Sequence, residues 1–246
     1  MRIMSNRKGN FESFDTLSDA LDLNGPGHSV ISIVGAGGKT TIMMQLAFEQ
    51  KSLSKKVFVT TSTHIYEPIQ YGSVDEEVKA IIKKLRKDHL VIAGVRASEG
   101  KITALKEDIY FEVLKEADVT FVESDGSRRF PAKVPSVKEP VILEKTTDIL
   151  IVMGLSSLGM TLKEGCHRCE LAEEFLSKGG EDRLTEEDLV SIIRLKYLRP
   201  LHEKYPGVKI RCLLNQVDNE KLLAKAKEMA KRLAGVDCII RSDREE

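Results

Sequence analysis

The chain has 246 residues, enough to bury a sizeable core without disulfide staples, and its 38 acidic and 38 basic side chains cancel. With no overall positive field and aromatics at only 5%, it has neither the basic stripe nor the stacking platform of a nucleic-acid binder, and nothing to draw it to an anionic membrane. Met1 to Leu23 mixes charges with isolated apolar residues and lacks the apolar run of a signal peptide or membrane span, so a cytoplasmic protein is expected.

The first strong element is the apolar run Val30–Val34, read as a strand that passes directly into Gly35-Ala36-Gly37-Gly38-Lys39-Thr40-Thr41 and then into a helix over Thr41–Gln50. Strand, glycine loop and helix in that order make a phosphate cradle. Glycines let backbone N–H groups turn inward, and the helix start adds unpaired N–H groups and the positive end of its dipole. Lys39 then brings a point charge to the β- and γ-phosphates, and the Thr40 hydroxyl is a ligand for Mg2+. Ile33 stands where the first glycine of G-x-x-x-x-G-K-S/T would fall, so the loop is the shorter G-x-x-G-K-T-T form, similar to the ATP-binding loop of the Mur ligases. The plainer reading is a glycine turn with a solvated lysine.

Next come a strand over Lys56–Thr60, a helix over Asp75–Lys87, a strand over His89–Gly94 and a helix over Lys106–Ala117. The hydroxyl run Thr60-Thr61-Ser62-Thr63-His64 ends the first of these strands, where open α/β sheets bind ligands, although threonine is also simply a good strand former. A strand over Val119–Val122 leads into Glu123-Ser124-Asp125-Gly126. An acid at the end of a strand beside the loop suits the magnesium shell, so Asp125 is expected at the metal and Glu123 as the group that activates water or an acceptor hydroxyl, with the order open to reversal. Ser127–Thr147, rich in prolines and basic residues, is expected to be an ordered surface loop.

After a strand over Ile149–Met153, Cys166 and Cys169 form a C-x-x-C pair with too few ligands for zinc, and they are read as structural or surface thiols. Thr185 and Asp188 form a capping box before a helix over Glu186–Leu195. The strand Lys209–Leu214 runs into Asn215-Gln216-Val217-Asp218, similar to the N-K-x-D element that reads guanine in GTPases, with Gln216 in place of lysine. Asn215 and Asp218 are therefore candidates for the base, and equally for a turn or for capping the next helix, Asn219–Ala234. A last strand covers Cys238–Ile240, and Cys212 and Cys238 read as small core residues. Several strands are almost continuously apolar, as expected when both faces of a parallel sheet are covered. The fold class expected is a three-layer P-loop NTPase-like α/β fold with a mainly parallel sheet and helices on both faces. It forms a single nucleotide-binding domain over 1–246 with a small helical insertion around 160–205.

In order along the chain, GAGGKTT (Gly35–Thr41), TTSTHI (Thr60–Ile65), ESDGSRRFPAKVP (Glu123–Pro135), EP (Glu139-Pro140), GLSSLG (Gly154–Gly159), HR (His167-Arg168) and LLNQVD (Leu213–Asp218) resemble the YqeC family, except that Ser124 stands where that family has alanine. The resemblance implies a P-loop protein that assists the maturation of selenium-dependent molybdenum hydroxylases. Phosphate and metal binding then fall to Gly35, Ala36, Gly37, Gly38, Lys39, Thr40 and Thr41, and catalysis to Lys39, Glu123 and Asp125. Thr61, Arg128, Arg129, Lys133, His167 and Arg168 become candidates for a second, anionic substrate. The expected ligands are ATP or GTP with Mg2+; the expected partners are a molybdenum hydroxylase or its cofactor and a second copy in a homodimer, with no nucleic acid and no membrane. Three functions compete: a Mg-dependent NTPase or phosphotransferase, a nucleotide-switched cofactor-delivery chaperone with little hydrolysis of its own, and a Mur-ligase-like ATP-dependent ligase.

Overall fold

The computed structural model describes residues 2–7, 10–25, 27–75, 77–98 and 100–242. Met1 and residues 243–246, the ends of the expected domain, lie outside the described residues, as does position 76 within the helix expected over Asp75–Lys87. The chain opens with β1 (Arg2–Arg7), β2 (Asn10–Phe14), α1 (Leu17–Ala20), β3 (Ser29–Gly35), α2 (Lys39–Ser52) and β4 (Val57–Thr61). It continues through β5 (Ile65–Tyr66), β6 (Gly72–Val74), α3 (Val78–Asp88), β7 (Leu90–Ser98), β8 (Lys101–Thr103), α4 (Glu107–Glu116), β9 (Val119–Glu123), β10 (Ala132–Lys133) and β11 (Asp148–Gly154). The last third holds α5 (Leu162–Gly165), β12 (Cys166–His167), α6 (Cys169–Leu176), α7 (Glu186–Ser191), α8 (Arg199–Lys204), β13 (Lys209–Asn215), α9 (Glu220–Arg232) and β14 (Asp237–Ser242).

The strands read from the apolar runs pair in parallel in the order β14, β13, β11, β3, β9, β4, β7, and the short β6, which no apolar run announces, adds in parallel to β7. Burial on both faces removes the need for polar alternation, so β4 and β9 are buried at every position. Alternate residues feed opposite layers. Ile31, Ile33, Leu150, Val152 and Phe121 pack with Ile42, Met43 and Leu46 of α2. On the other face, Ile149, Ile151 and Met153 join a core with α7 and α9, while Val30, Phe58 and Val122 join one with α3 and α4. The result is a three-layer α/β architecture with β3 and its phosphate loop near the middle of the sheet.

Antiparallel strands close both edges: β1 and β2 beside β14, and β8 and β5 beside β7. The apolar pattern does not announce them, because an edge strand such as β2 is mostly exposed and polar. The Thr185–Asp188 capping box forms, and Thr161 with Glu164 builds a second one at α5. The helix expected over Glu186–Leu195 is α7 followed by a π-helical stretch, Ile192–Leu198, which merges into α8. Among the described residues no helix is long and apolar enough to cross a membrane.

Candidate functional site

Strand β3 ends at Gly35, and the loop turns through left-handed backbone at Gly35, Gly37 and Gly38 before α2 begins at Lys39. Gly37 has φ 85°, and a Cβ on it would lie 2.3 Å from the Gly154 nitrogen, so neither the conformation nor the space admits a side chain. The expected cradle divides in two. Gly35, Ala36 and Gly37 give their N–H groups to Asp125 Oδ2 (3.0 Å), the Val152 carbonyl (2.9 Å) and the Phe130 carbonyl (3.1 Å), so they shape the loop from behind. Gly38, Lys39, Thr40 and Thr41 line the cleft. No side chain caps α2, which leaves the N–H groups of its first turn without a side-chain partner where Lys39, Thr40 and Thr41 line the cleft.

Acids from the end of β9 meet the loop, since β9 is the parallel neighbour of β3. The Thr40 hydroxyl donates to Glu123 Oε2 at 2.7 Å. Burial pushes the Glu123 carboxyl above the usual range, and neighbouring Asp125 pushes it the same way, against the opposing pull of Lys39 and Thr40. Asp125, expected at the metal, lies deeper: Oδ2 holds the Gly35 N–H and Oδ1 lies 3.2 Å from Lys39 Nζ. Lys39 itself folds back to donate to the Gly35 carbonyl at 2.8 Å. The donor set near Thr40 is all oxygen, with the Thr40 hydroxyl and the Glu123 carboxylate in contact, so these residues fit a hard divalent cation such as Mg2+. Glu123, beside the Thr40 hydroxyl, is better placed than Asp125 to share that ion.

Asn215 does not face the cleft. It is buried at the end of β13, donates from Nδ2 to the Gly37 carbonyl at 2.7 Å, and accepts from Arg241 Nη1 at 3.0 Å. The side chain braces the phosphate loop, which uses up the groups expected to read a base. Asp218 likewise is absent from the cleft lining, and its Oδ1 is buried without a hydrogen bond. Gln216 does line the cleft, on left-handed backbone, with its Oε1 held by the Ser156 hydroxyl at 2.6 Å.

The second-substrate candidates also separate. Thr61 is buried and donates to the Glu123 carbonyl at 2.9 Å, tying β4 to β9 outside the cleft. Lys133, read as a basic loop residue, is fully buried and lies 3.1 Å from Asp125 Oδ2 and 3.0 Å from Glu139 Oε2. Arg168 completes this chain of charges by pairing with Glu139. Burial alone would raise the Glu139 carboxyl, but the hydrogen bonds from Arg168 and Lys133 hold it down at about 2. Arg128, Arg129, His167 and Arg168 line the cleft, together with Tyr66, Phe130 and Lys101, which no candidate reading of the sequence singles out. Burial lowers His167 to about 4, and the nearby charges of Arg168, Lys133 and Arg128 act in the same direction. The cleft holds about 1370 Å³.

Cys212 and Cys238 are buried and face each other across β13 and β14, as small core residues do. Cys166 is buried, which pushes its thiol up to about 12, whereas Cys169 is partly exposed at the cleft. Among the described residues no group of three His, Cys, Asp or Glu side chains is placed to hold a metal ion.

A strand, glycine loop and uncapped helix at the middle of a parallel sheet, with acids on the neighbouring strand, define a P-loop NTPase-like α/β protein. The chain belongs to the YqeC family: the family model described as YqeC protein matches residues 31–170. It is 29% identical over 173 residues to the uncharacterized protein YqeC of Escherichia coli strain K12, covering 68% of each chain. Among solved structures it is similar to the MinC:MinD cell division protein complex of Aquifex aeolicus, at 14% identity and TM-score 0.40, covering 85% of this chain and 73% of that one. It is also similar to FlhF complexed with GMPPNP/Mg(2+), at 14% identity and TM-score 0.42, covering 87% of this chain and 65% of that one.

Proposed function

We propose that this YqeC-family chain is a single α/β domain that binds a nucleoside triphosphate, ATP or GTP, with Mg2+, and hydrolyses it or transfers its terminal phosphoryl group. The observation that carries this reading is the uncapped first turn of α2 opening onto the cleft, with the Thr40 hydroxyl and Glu123 in contact beside it. The N–H groups of Gly38 to Thr41 hold phosphate oxygens, and Lys39 adds its charge. Thr40 and Glu123 would hold Mg2+, which when bound neutralises charge on the phosphate oxygens. Asp125 positions Lys39 and the loop through the Gly35 N–H. Phosphate release from Mg·ATP and Mg·GTP, compared between wild type and Glu123→Gln, tests the catalytic part. Turnover that falls by about 100-fold or more supports it, and turnover unchanged by the substitution contradicts it.

A second reading, a nucleotide-switched carrier, draws on the buried charges that run from Lys39 through Asp125, Lys133 and Glu139 to Arg168. They join the phosphate loop to the segment around His167, so a change at Lys39 reaches the part of the cleft that His167 lines. The client proposed from the family resemblance is a molybdenum hydroxylase or its cofactor. Triphosphate binding with turnover only after that client is added would favour the carrier over the hydrolase.

A further inference from the structure

The cleft is larger than one ligand needs. Small-molecule sites usually enclose about 300–1,000 Å³, and this one holds about 1370 Å³, with Gly38 to Thr41 forming only part of its lining. A second part of its lining is built from two segments far apart in sequence, one of which adjoins the phosphate loop where the Gly37 N–H donates to the Phe130 carbonyl at 3.1 Å. The parallel bridge of β10 and β12 pairs Ala132 with Cys166 and Lys133 with His167, and the Val134 N–H donates to the His167 carbonyl at 3.3 Å. That bridge lays the His167 ring against Phe130, with centroids 5.9 Å apart and planes 24° from parallel.

Just before Phe130, Arg128 (φ 48°) and Arg129 (φ 67°) are consecutive left-handed residues in a turn closed by the Phe130 N–H donating to the Ser127 carbonyl at 3.0 Å. Bulky side chains seldom take that backbone, and here it carries two exposed guanidinium groups at the cleft. Arg128 forms no ion pair with a described residue, and Arg129 rests on the Tyr66 ring at 5.0 Å from its centroid, where Lys101 also lies at 5.8 Å. By contrast, Lys133 and Arg168 are taken up by Asp125 and Glu139. The wall therefore presents cations that no carboxylate of the described residues pairs with, beside an imidazole that burial first, and then Arg168, Lys133 and Arg128, keep neutral.

We propose that this wall is a second binding site, for a small molecule bearing a phosphate group, with Arg128 and Arg129 clamping the phosphate and His167 beside it as a hydrogen-bond partner. Arginine suits the role because its planar fork matches two phosphate oxygens at once. The proposal rests on the nucleotide reading only for what occupies the other half of the cleft. It places two ligands in one cleft, the arrangement that phosphoryl transfer requires and simple hydrolysis does not.

The test uses orthophosphate as the probe and the His167 imidazole resonances as the readout, in wild type, Lys39→Ala and the double variant Arg128→Gly/Arg129→Gly. Glycine accepts the left-handed backbone, so the double variant keeps its turn. The expected result is a saturable His167 shift in wild type and Lys39→Ala that weakens at least tenfold in the double variant. Wild type saturated with a non-hydrolysable triphosphate analogue and Mg2+ repeats the Lys39 arm should that variant fold poorly. A shift absent from wild type, unchanged in the double variant, or lost when the phosphate loop is disabled or filled overturns the proposal. Failure of ATP and GTP to bind, with the His167 shift intact, would instead contradict the nucleotide reading alone.

Discussion

Asn215→Ala separates two roles that the sequence leaves open. In the structure Asn215 supports the Gly37 carbonyl and Arg241, so removing its amide leaves a buried loop carbonyl unpaired and takes one partner from Arg241, whose Nε still reaches Gln45 Oε1. A buried polar group left unpaired costs about 1–3 kcal/mol. With Arg241 still partly held, the total should be about 2–4 kcal/mol. At this chain length each kcal/mol moves the thermal midpoint by about 2–4 °C, so a fall of about 4–16 °C is expected. Because the lost bond holds the loop rather than a base, ATP and GTP affinities should weaken by the same factor. Thermal unfolding and calorimetric titration of both nucleotides measure the two effects. An unchanged midpoint with selective loss of one nucleotide would refute the bracing role and return Asn215 to base recognition.

Other outcomes follow from the same geometry. Gly37→Ala meets the Gly154 backbone and an unfavourable φ together, and should cost about 2–5 kcal/mol in urea unfolding and weaken triphosphate binding. Lys133→Met takes one cation from each of Asp125 and Glu139, which keep Lys39 and Arg168, and should destabilise by about 1–3 kcal/mol; no loss at all would mean that the network is not formed in solution. Glu139 is held below its ordinary value, so its stabilisation is present above pH about 4.5 and lost as pH falls toward about 2. Glu139→Gln should flatten that part of the acid unfolding curve. His167 prefers to be neutral in the fold, so the unfolded chain binds the extra proton and stability should drop as pH falls from 6.5 to about 4. An NMR titration of the imidazole with a midpoint near 6.5 would contradict this environment.

The parallel centre of the fold was legible because strands such as Ile149–Met153 are buried on both faces and read as unbroken apolar runs. The phosphate loop was legible because Gly-Lys-Thr-Thr lies directly between such a strand and a helix. Edge strands escaped because their exposed faces tolerate polar residues, as in Asn10–Phe14. Lys133 illustrates a different limit. Its local sequence is that of a basic surface loop, and only the approach of Asp125 and Glu139 from other segments makes burial of its ammonium tolerable. Tyr66 and Lys101 joined the cleft for the same reason: the β5–β8 pairing that sets them side by side is a tertiary event. The Asn215 motif is legible in the sequence, but the direction of its side chain is not, since the Gly37 carbonyl that claims its amide lies 178 residues away.

The central claim is that Gly38 to Thr41 hold a triphosphate. Its most direct test is calorimetric titration of Mg·ATP and Mg·GTP into wild type and Lys39→Ala, with thermal unfolding used to confirm that the variant is folded. Saturable binding of at least one nucleotide by wild type, weakened at least tenfold in Lys39→Ala, is the predicted result. A well-folded wild type that binds neither nucleotide would contradict it.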